Sequence, residues 1–237
     1  MGRTRITLVV GVYVPTGIVL SGDSRTTVTQ TVQDQTNPNK VAIQTTNLVL
    51  SDATYKLFLL HKRFGLGIAG DALINDMPIA HYVEKYESSS QAKPPSSAQA
   101  LANDLLQYFT ALSPIPDLTC IVAGYDSGDP WVMSVDAKGN ATKRVNFDLQ
   151  TNRPNYGIQA AGDTAVVARL LSQQQFNPPF NVMSLQDAVD FSRHLIRSTI
   201  DQLRFEPRFA TVGGPIDTML ITDRETRFLS RKSLSAS

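Results

Sequence analysis

Thr7-Leu8-Val9-Val10-Gly11-Val12-Tyr13-Val14, Pro15-Thr16, then Gly17-Ile18-Val19-Leu20-Ser21-Gly22-Asp23-Ser24-Arg25 is the stretch on which the reading of this chain turns. Two apolar, β-branched runs, 7–14 and 17–22, flank a Pro-Thr turn signal and predict a hairpin. Asp23 and Arg25 end an otherwise apolar strand, where charge is unfavourable unless paired. By composition alone they mark the solvent end of that strand; the other reading is a buried, paired charge. Lys56 is a second charge of this kind, opening the apolar run Lys56-Leu57-Phe58-Leu59-Leu60. A lysine beside an aspartate, near a threonine on a neighbouring strand, lowers a hydroxyl's proton affinity.

Outward from this hairpin, residues 26–39 are rich in Thr, Gln and Asn and read as a long loop or irregular ribbon. Strand-like runs resume at 41–44, 48–50, 56–60 and 64–69. Helical periodicity predicts a helix over 71–86, with Leu73, Met77, Ala80 and Val83 on one side. Ser96 or Ser97 caps a second helix striped by Ala98, Leu101, Leu105, Leu106 and Phe109. The order then repeats. Strands are expected at 119–125, 131–135, 143–145 and 157–161, with turns at 126–130 and 138–140. A short helix follows, capped by Asp163 or Thr164 and running to about 172, and a long one over 184–203 opened by Ser184-Leu185-Gln186-Asp187. Strands 216–222 and 226–230 close the chain before a polar tail, 231–237. Strands, two helices, strands, two helices, strands, with few βαβ alternations, predict an α+β fold with largely antiparallel sheets.

The chain has 237 residues, of which 42% are hydrophobic, enough for a core and against a disordered chain. Lys+Arg number 22 and Asp+Glu 21, a formal charge of +1, so there is no basic footprint for nucleic acid. The one cysteine, Cys120, excludes an internal disulfide, and with three histidines it argues against a structural metal. Lying in Leu118-Thr119-Cys120-Ile121-Val122-Ala123, it reads as a core thiol. No apolar run reaches the ~18–20 residues of a membrane-spanning helix. Arg3 and Arg5 before the apolar run 6–14 resemble a short secretory signal only loosely. That run is β-branched and holds Gly11, Pro15 follows it, and Leu20-Ser21-Gly22 is a poor cleavage site. Ile6 stands where myristoylation needs Ser or Thr. A cytoplasmic protein is expected.

Gly65-Leu66-Gly67-Ile68-Ala69-Gly70 has dinucleotide-motif spacing, but the following helix leads into another helix rather than a βαβ crossover. Its glycines read instead as permitting close strand packing. His61, His81 and His194 show no metal spacing, and the last two read as half-buried helix residues. There is no G-x-S-x-G elbow and no Walker motif. No metal or cofactor is expected.

Thr7 with Val10-Gly11, Asp23-Ser24-Arg25, Lys56-Leu57-Phe58, Ile68-Ala69-Gly70-Asp71-Ala72, Ala123-Gly124-Tyr125, Val135-Asp136-Ala137-Lys138-Gly139, Ala161-Gly162-Asp163 and Gly213-Gly214-Pro215-Ile216-Asp217 occur in this order. As a collinear set they resemble the proteasome β-type family of N-terminal-nucleophile hydrolases, with its relatives the HslV peptidase and the Anbu proteins. The resemblance implies a four-layer αββα sandwich over residues 7–230, with residues 1–6 as a propeptide. It implies Thr7 as nucleophile and, once freed, as base through its own α-amine. A free α-amine has a pKa of about 7.7–8.0, so part of it is neutral near pH 7. Lys56 paired with Asp23 would tune the hydroxyl, the Gly70 N–H would hold the oxyanion, and Arg25 would fix the Asp23 strand end. Asp163 and Thr164 take auxiliary positions. Thr27 and Ala72 would bind a peptide as an added strand, and Ile68 with Ala72 would line an apolar pocket. The partners implied are a peptide or unfolded protein, further copies in a homo-oligomeric ring, and an ATP-dependent unfoldase. The chain departs from the family in Ile6 before Thr7, where glycine is usual, and in a long connection from Arg25 to Lys56 that reads as a ring-contact or lid insertion. Asp163 replaces a serine, and Phe209 and Val212 stand where an Asp and a Ser support the α-amine. A catalytically silent, ring-forming or peptide-binding relative is therefore the second reading.

Overall fold

The computed structural model describes residues 3–6, 8–34, 42–173 and 177–233. Thr7 lies outside the described residues. The elements in order are β1 (Arg3–Ile6), β2 (Leu8–Val14), β3 (Gly17–Gly22), β4 (Thr26–Asp34), β5 (Ala42–Ser51), β6 (Leu57–Leu60), β7 (Phe64–Asp71), β8 (Leu73–Ile74), β9 (Met77–Pro78), α1 (Ile79–Ser90) and α2 (Ala98–Thr110). Then come β10 (Leu118–Asp126), β11 (Asp129–Asp136), β12 (Ala141–Arg144), β13 (Phe147–Asp148), β14 (Arg153–Pro154), β15 (Gly157–Gly162), α3 (Ala165–Leu170), α4 (Leu185–Leu203), β16 (Asp217–Ile221) and β17 (Thr226–Ser230). One sheet runs β12-β11-β10-β7-β1-β4-β5, with β6 also on β7; the other runs β15-β2-β3-β16-β17. The pairings in both are antiparallel. This is the α+β class expected.

Strand β2 is apolar at every position except Gly11 because both its faces are covered. Side chains alternate across a strand. Leu8, Val10, Val12 and Val14 therefore join a cluster with Ala188, Leu195, Ile196 and Leu203 of α4. Val9 and Tyr13 turn the other way, into a cluster drawn from both sheets with Leu57, Ala69, Ile121, Ala123 and Met219. A third cluster packs Ile79 and Val83 of α1 and Leu101, Leu105 and Phe109 of α2 on Leu66, Ile68, Cys120 and Val122. Each fully buried aliphatic side chain contributes about 1.5–3 kcal/mol. Cys120 is buried in that cluster, and burial pushes its thiol up to about 12. The Gly65–Gly70 motif is strand, and it is small for packing reasons. A Cβ on Gly67 would stand 2.5 Å from Val9 Cγ1 on the opposing sheet.

The structure corrects several expected elements. The helix expected over 71–86 begins only at Ile79. Before it, Asn75 and Asp76 take positive φ (49° and 62°) and close a small β8–β9 hairpin that ends at Pro78. The stretch expected as loop from 26 onward is strand to Asp34, paired with β5 from Ala42. Residues 35–39 lie outside the described residues. Alternating Thr and Val supply the β-propensity that the polar composition obscured. Residues 3–6, expected only as a leader, form a strand inside the larger sheet. His81 and His194 are exposed rather than half-buried. Ser97 caps α2 through the Ala100 N–H, and Ser184 caps α4 through the Asp187 N–H, as expected. Among the described residues no helix is long and apolar enough to cross a membrane.

Candidate active site

The chain changes sheets between Ile6 and Leu8, and the charged residues singled out in the sequence gather at that crossing. Asp23, at the exit of β3, is buried, so the reading of Asp23 as a solvent-facing strand end is overturned. Its N–H donates to Leu8 O (3.2 Å) and its Oδ1 accepts the Leu8 N–H (3.0 Å), which fixes the start of β2. Oδ2 accepts the N–H groups of Gly213 (2.9 Å) and Arg25 (3.1 Å). The Lys56 ammonium donates to Oδ1, and neither side chain of this ion pair is exposed to solvent. Asp23 thus accepts two donors on each oxygen, which satisfies a carboxylate that burial would otherwise leave stranded.

Lys56 stands at the head of β6, where its C=O accepts the Ile68 N–H (2.9 Å). Burial pulls its ammonium below the usual lysine range. Asp23 opposes that pull by charge and hydrogen bond, and the Lys232 charge adds to it; the net direction is down. Arg25 is half-buried and paired to Asp52 in a fork, Nε at 2.7 Å and Nη2 at 2.8 Å, with Nη1 donating to Ala210 O (3.2 Å). The hydrogen bond between them raises the Arg25 pKa and lowers that of Asp52. A Cβ at position 213 would fall 2.4 Å from the Arg25 guanidinium carbon, so a side chain there would have to displace the Arg25 guanidinium.

Strand β7 changes partner beside this pair. Its residues Phe64–Gly67 pair with β6, and the same flank then pairs with the N-terminal strand, Gly70 opposite Ile6 and Asp71 opposite Arg5. On its other side that strand pairs with β4, Ile6 opposite Thr26 and Arg5 opposite Thr27. Residues 3–6 therefore fill a strand-wide slot between Thr27 and Gly70, both of them sequence-predicted site residues. Gly70 takes φ +124°, and a Cβ there would meet Asp117 O at 2.0 Å, so this position requires glycine.

Of the other predicted residues, Asp163 follows Gly162, which pairs with Leu8. It accepts Arg208 (2.5 Å) and Thr211 Oγ1 (2.6 Å). Burial raises its pKa, those hydrogen bonds lower it, and the net direction is down. Thr164 begins α3 without a side-chain capping bond. Ile68 and Ala72 are closed into the cluster beneath α1 and α2. Phe209 is half-buried and Val212 is buried among the residues packed by α4.

The sequence did not flag a second buried pair. The Asp217 Oδ1 accepts the Lys232 N–H (2.8 Å), its Oδ2 accepts the Lys232 ammonium, and Asp217 lies opposite Gly22, one residue before Asp23. Lys232 and Arg231 both stand over the ring of Tyr55, at 4.7 and 4.6 Å from its centroid, immediately before Lys56. Residues 231 and 232 are therefore packed into the fold rather than part of a free polar tail. Asp52, Arg208 and Thr211 also escaped notice, since their pairing depends on distant chain; Gly213 and Asp217 were visible in Gly213-Gly214-Pro215-Ile216-Asp217.

A surface cavity of about 740 Å³ lies at the opposite turn of the β2–β3 hairpin, lined by Pro15, Thr16, Tyr125 and Arg224 among others, and holds none of these residues. Among the described residues no cluster of His, Cys, Asp and Glu is arranged to hold a metal. Comparison with protein-family models and with curated proteins gives no match to this chain.

Proposed function

We propose that the chain is a proteasome-like, threonine-type endopeptidase in which Thr7 becomes the nucleophile after loss of residues 1–6. The observation that carries this reading is the solvent-free Asp23–Lys56 pair held on the backbone of Leu8, the residue next to Thr7. A buried ion pair is a poor way to gain stability, and its position beside the sheet crossing suits a role in activating a neighbouring hydroxyl. The Thr7 hydroxyl attacks the Ile6 carbonyl, an ester forms as the amide breaks, and water hydrolyses the ester to release residues 1–6. In later turns the freed α-amine takes the hydroxyl proton, the hydroxyl attacks a peptide carbonyl, and the Gly70 N–H stabilises the oxyanion; the peptide C–N bond breaks as the α-ammonium gives that proton to the leaving amine, and water hydrolyses the ester to free Thr7. Removing one such donor typically lowers the rate ~10²–10³-fold. The strand slot between β4 and β7 then receives substrate by β-addition.

The arrangement of helices and sheets supports the finer reading of a four-layer αββα sandwich, because one cluster joins the two sheets and each sheet packs helices through another. A homo-oligomeric ring, an ATP-driven unfoldase as partner and a cytoplasmic location belong to the same proposal. The second reading, a silent peptide-binding or ring-forming relative, draws on the N-terminal strand itself. Residues 3–6 are paired on both sides, as a retained strand would be. A fluorogenic peptide assay beside Thr7→Ala separates the two: the peptidase loses hydrolysis completely with the fold intact, whereas equal signals from both proteins contradict it.

A further inference from the structure

Residues 3–6 pair across the slot as a bound peptide does, so their register assigns slot positions to a substrate. Ile6, the residue before Thr7, lies opposite Gly70; Arg5 lies opposite Asp71 on one side and Thr27 on the other. Directly opposed residues of an antiparallel pair project from the same face, with Cβ atoms about 4.5–5.5 Å apart. A side chain entering at the position of Arg5 is therefore flanked by one carboxylate and one hydroxyl. Asp71 is half-buried; its Oδ2 accepts the Asp117 N–H (2.8 Å) from the segment leading into β10, on the flank of β7 away from residues 3–6. The facing wall is neutral: Thr26, Thr27, Val28 and Thr29 of β4 carry no charge. The chain's own occupant carries arginine at this position.

From this we propose that Asp71 is a specificity-determining residue that selects peptides with Lys or Arg two positions before the scissile bond's new N-terminus, that is, immediately before the residue whose carbonyl is attacked. The proposal rests on the peptidase reading for the word "scissile", but the binding preference belongs to the slot alone. The residue opposite Gly70 is not selected for charge, since no ionisable group pairs with it on either strand: its neighbours are Gly70 and Thr26.

The test is a charge-reversal cycle on the full chain: wild type, Arg5→Glu, Asp71→Lys and the double variant. Asp71→Asn is included as a milder change that keeps an oxygen acceptor for the Asp117 N–H. Hydrogen–deuterium exchange of residues 3–6, measured with each variant in a Thr7→Ala background that keeps them, reads docking without any catalysis, and intact mass of the same variants with Thr7 present reads loss of residues 1–6. Each single reversal is expected to speed exchange and slow processing about fivefold, the scale of a favourable cross-strand charge pair, and the double variant to recover most of both. Arg5→Lys is expected to behave as wild type. Equal exchange in all variants, or a double variant no better than the singles, overturns the proposal. Rescue of exchange with the Ile6–Thr7 bond intact in every variant upholds the Asp71 preference and sinks the peptidase reading.

Discussion

Two lysine–aspartate pairs are buried next to one another, and they are built differently. Asp23 accepts backbone N–H groups from Arg25, two residues on, and from two other segments, at Leu8 and Gly213, and its lysine comes from a third. Asp217 accepts the ammonium and the backbone N–H of the same residue, Lys232, and is only one strand step from Gly22. The first pair ties distant pieces of chain to one point with no solvent at either side chain; the second closes the C-terminal segment and keeps 9% exposure at the lysine. The difference teaches where the fold invests in charge for chemistry and where for closure. A pair that only closed the chain could be replaced by apolar residues of similar volume at little loss. The Asp23–Lys56 pair, on this account, cannot, because its charge is used.

The sharpest way to break the comparison is to remove one partner of each. Lys56→Ala leaves a buried, uncompensated carboxylate and is expected to destabilise by about 3–5 kcal/mol in urea unfolding. Autoprocessing should be lost in the milder Lys56→Met even where that protein folds. Lys232→Met should lower stability by a smaller amount, about 1–3 kcal/mol, because that lysine sits nearer water. Processing there should be slowed but kept. If the two lysine variants slow processing equally, the distinction between the pairs fails.

Acid titration sharpens the same contrast at the rim. Asp52 and Asp163 have carboxyls held below the usual range by Arg25 and Arg208. As pH falls below about 4, the unfolded chain binds protons before the folded one, so their contribution, fully present above that value, drains away. The melting temperature should fall with acid, and Asp163→Asn should flatten the slope; an unchanged slope contradicts the assignment. The smallest effect belongs to the exposed β5 edge. Leu50→Thr, at a residue 53% exposed, should change monomer stability by no more than about 0.5 kcal/mol in thermal melts.

The hairpin of β2 and β3 was legible because two buried faces leave an unbroken apolar run, and Asp23 and Lys56 were legible as charges that interrupt such runs. The start of α1 was not. Leu73 and Met77 fit a helical stripe, yet Asn75 and Asp76 take the left-handed turn that such residues tolerate, and Pro78 delays the helix. Residues 3–6 alternate Arg and Thr with too little apolar pattern to announce a strand; pairing on both sides makes them one. Lys232 read as tail because nothing local distinguishes it. Its role comes from Asp217 and Tyr55, far away in sequence. Gly213 gave a visible signal, but its task, an N–H aimed at Asp23, depends on a contact of high sequence separation.

The central claim is that the buried pair serves Thr7, and the mass of the intact purified protein, measured beside that of Thr7→Ala, tests it most directly. The account predicts that the native protein loses residues 1–6 and begins at Thr7, while the variant keeps Ile6. If both proteins keep Ile6, or lose only Met1, Thr7 is not a working nucleophile and the account is contradicted.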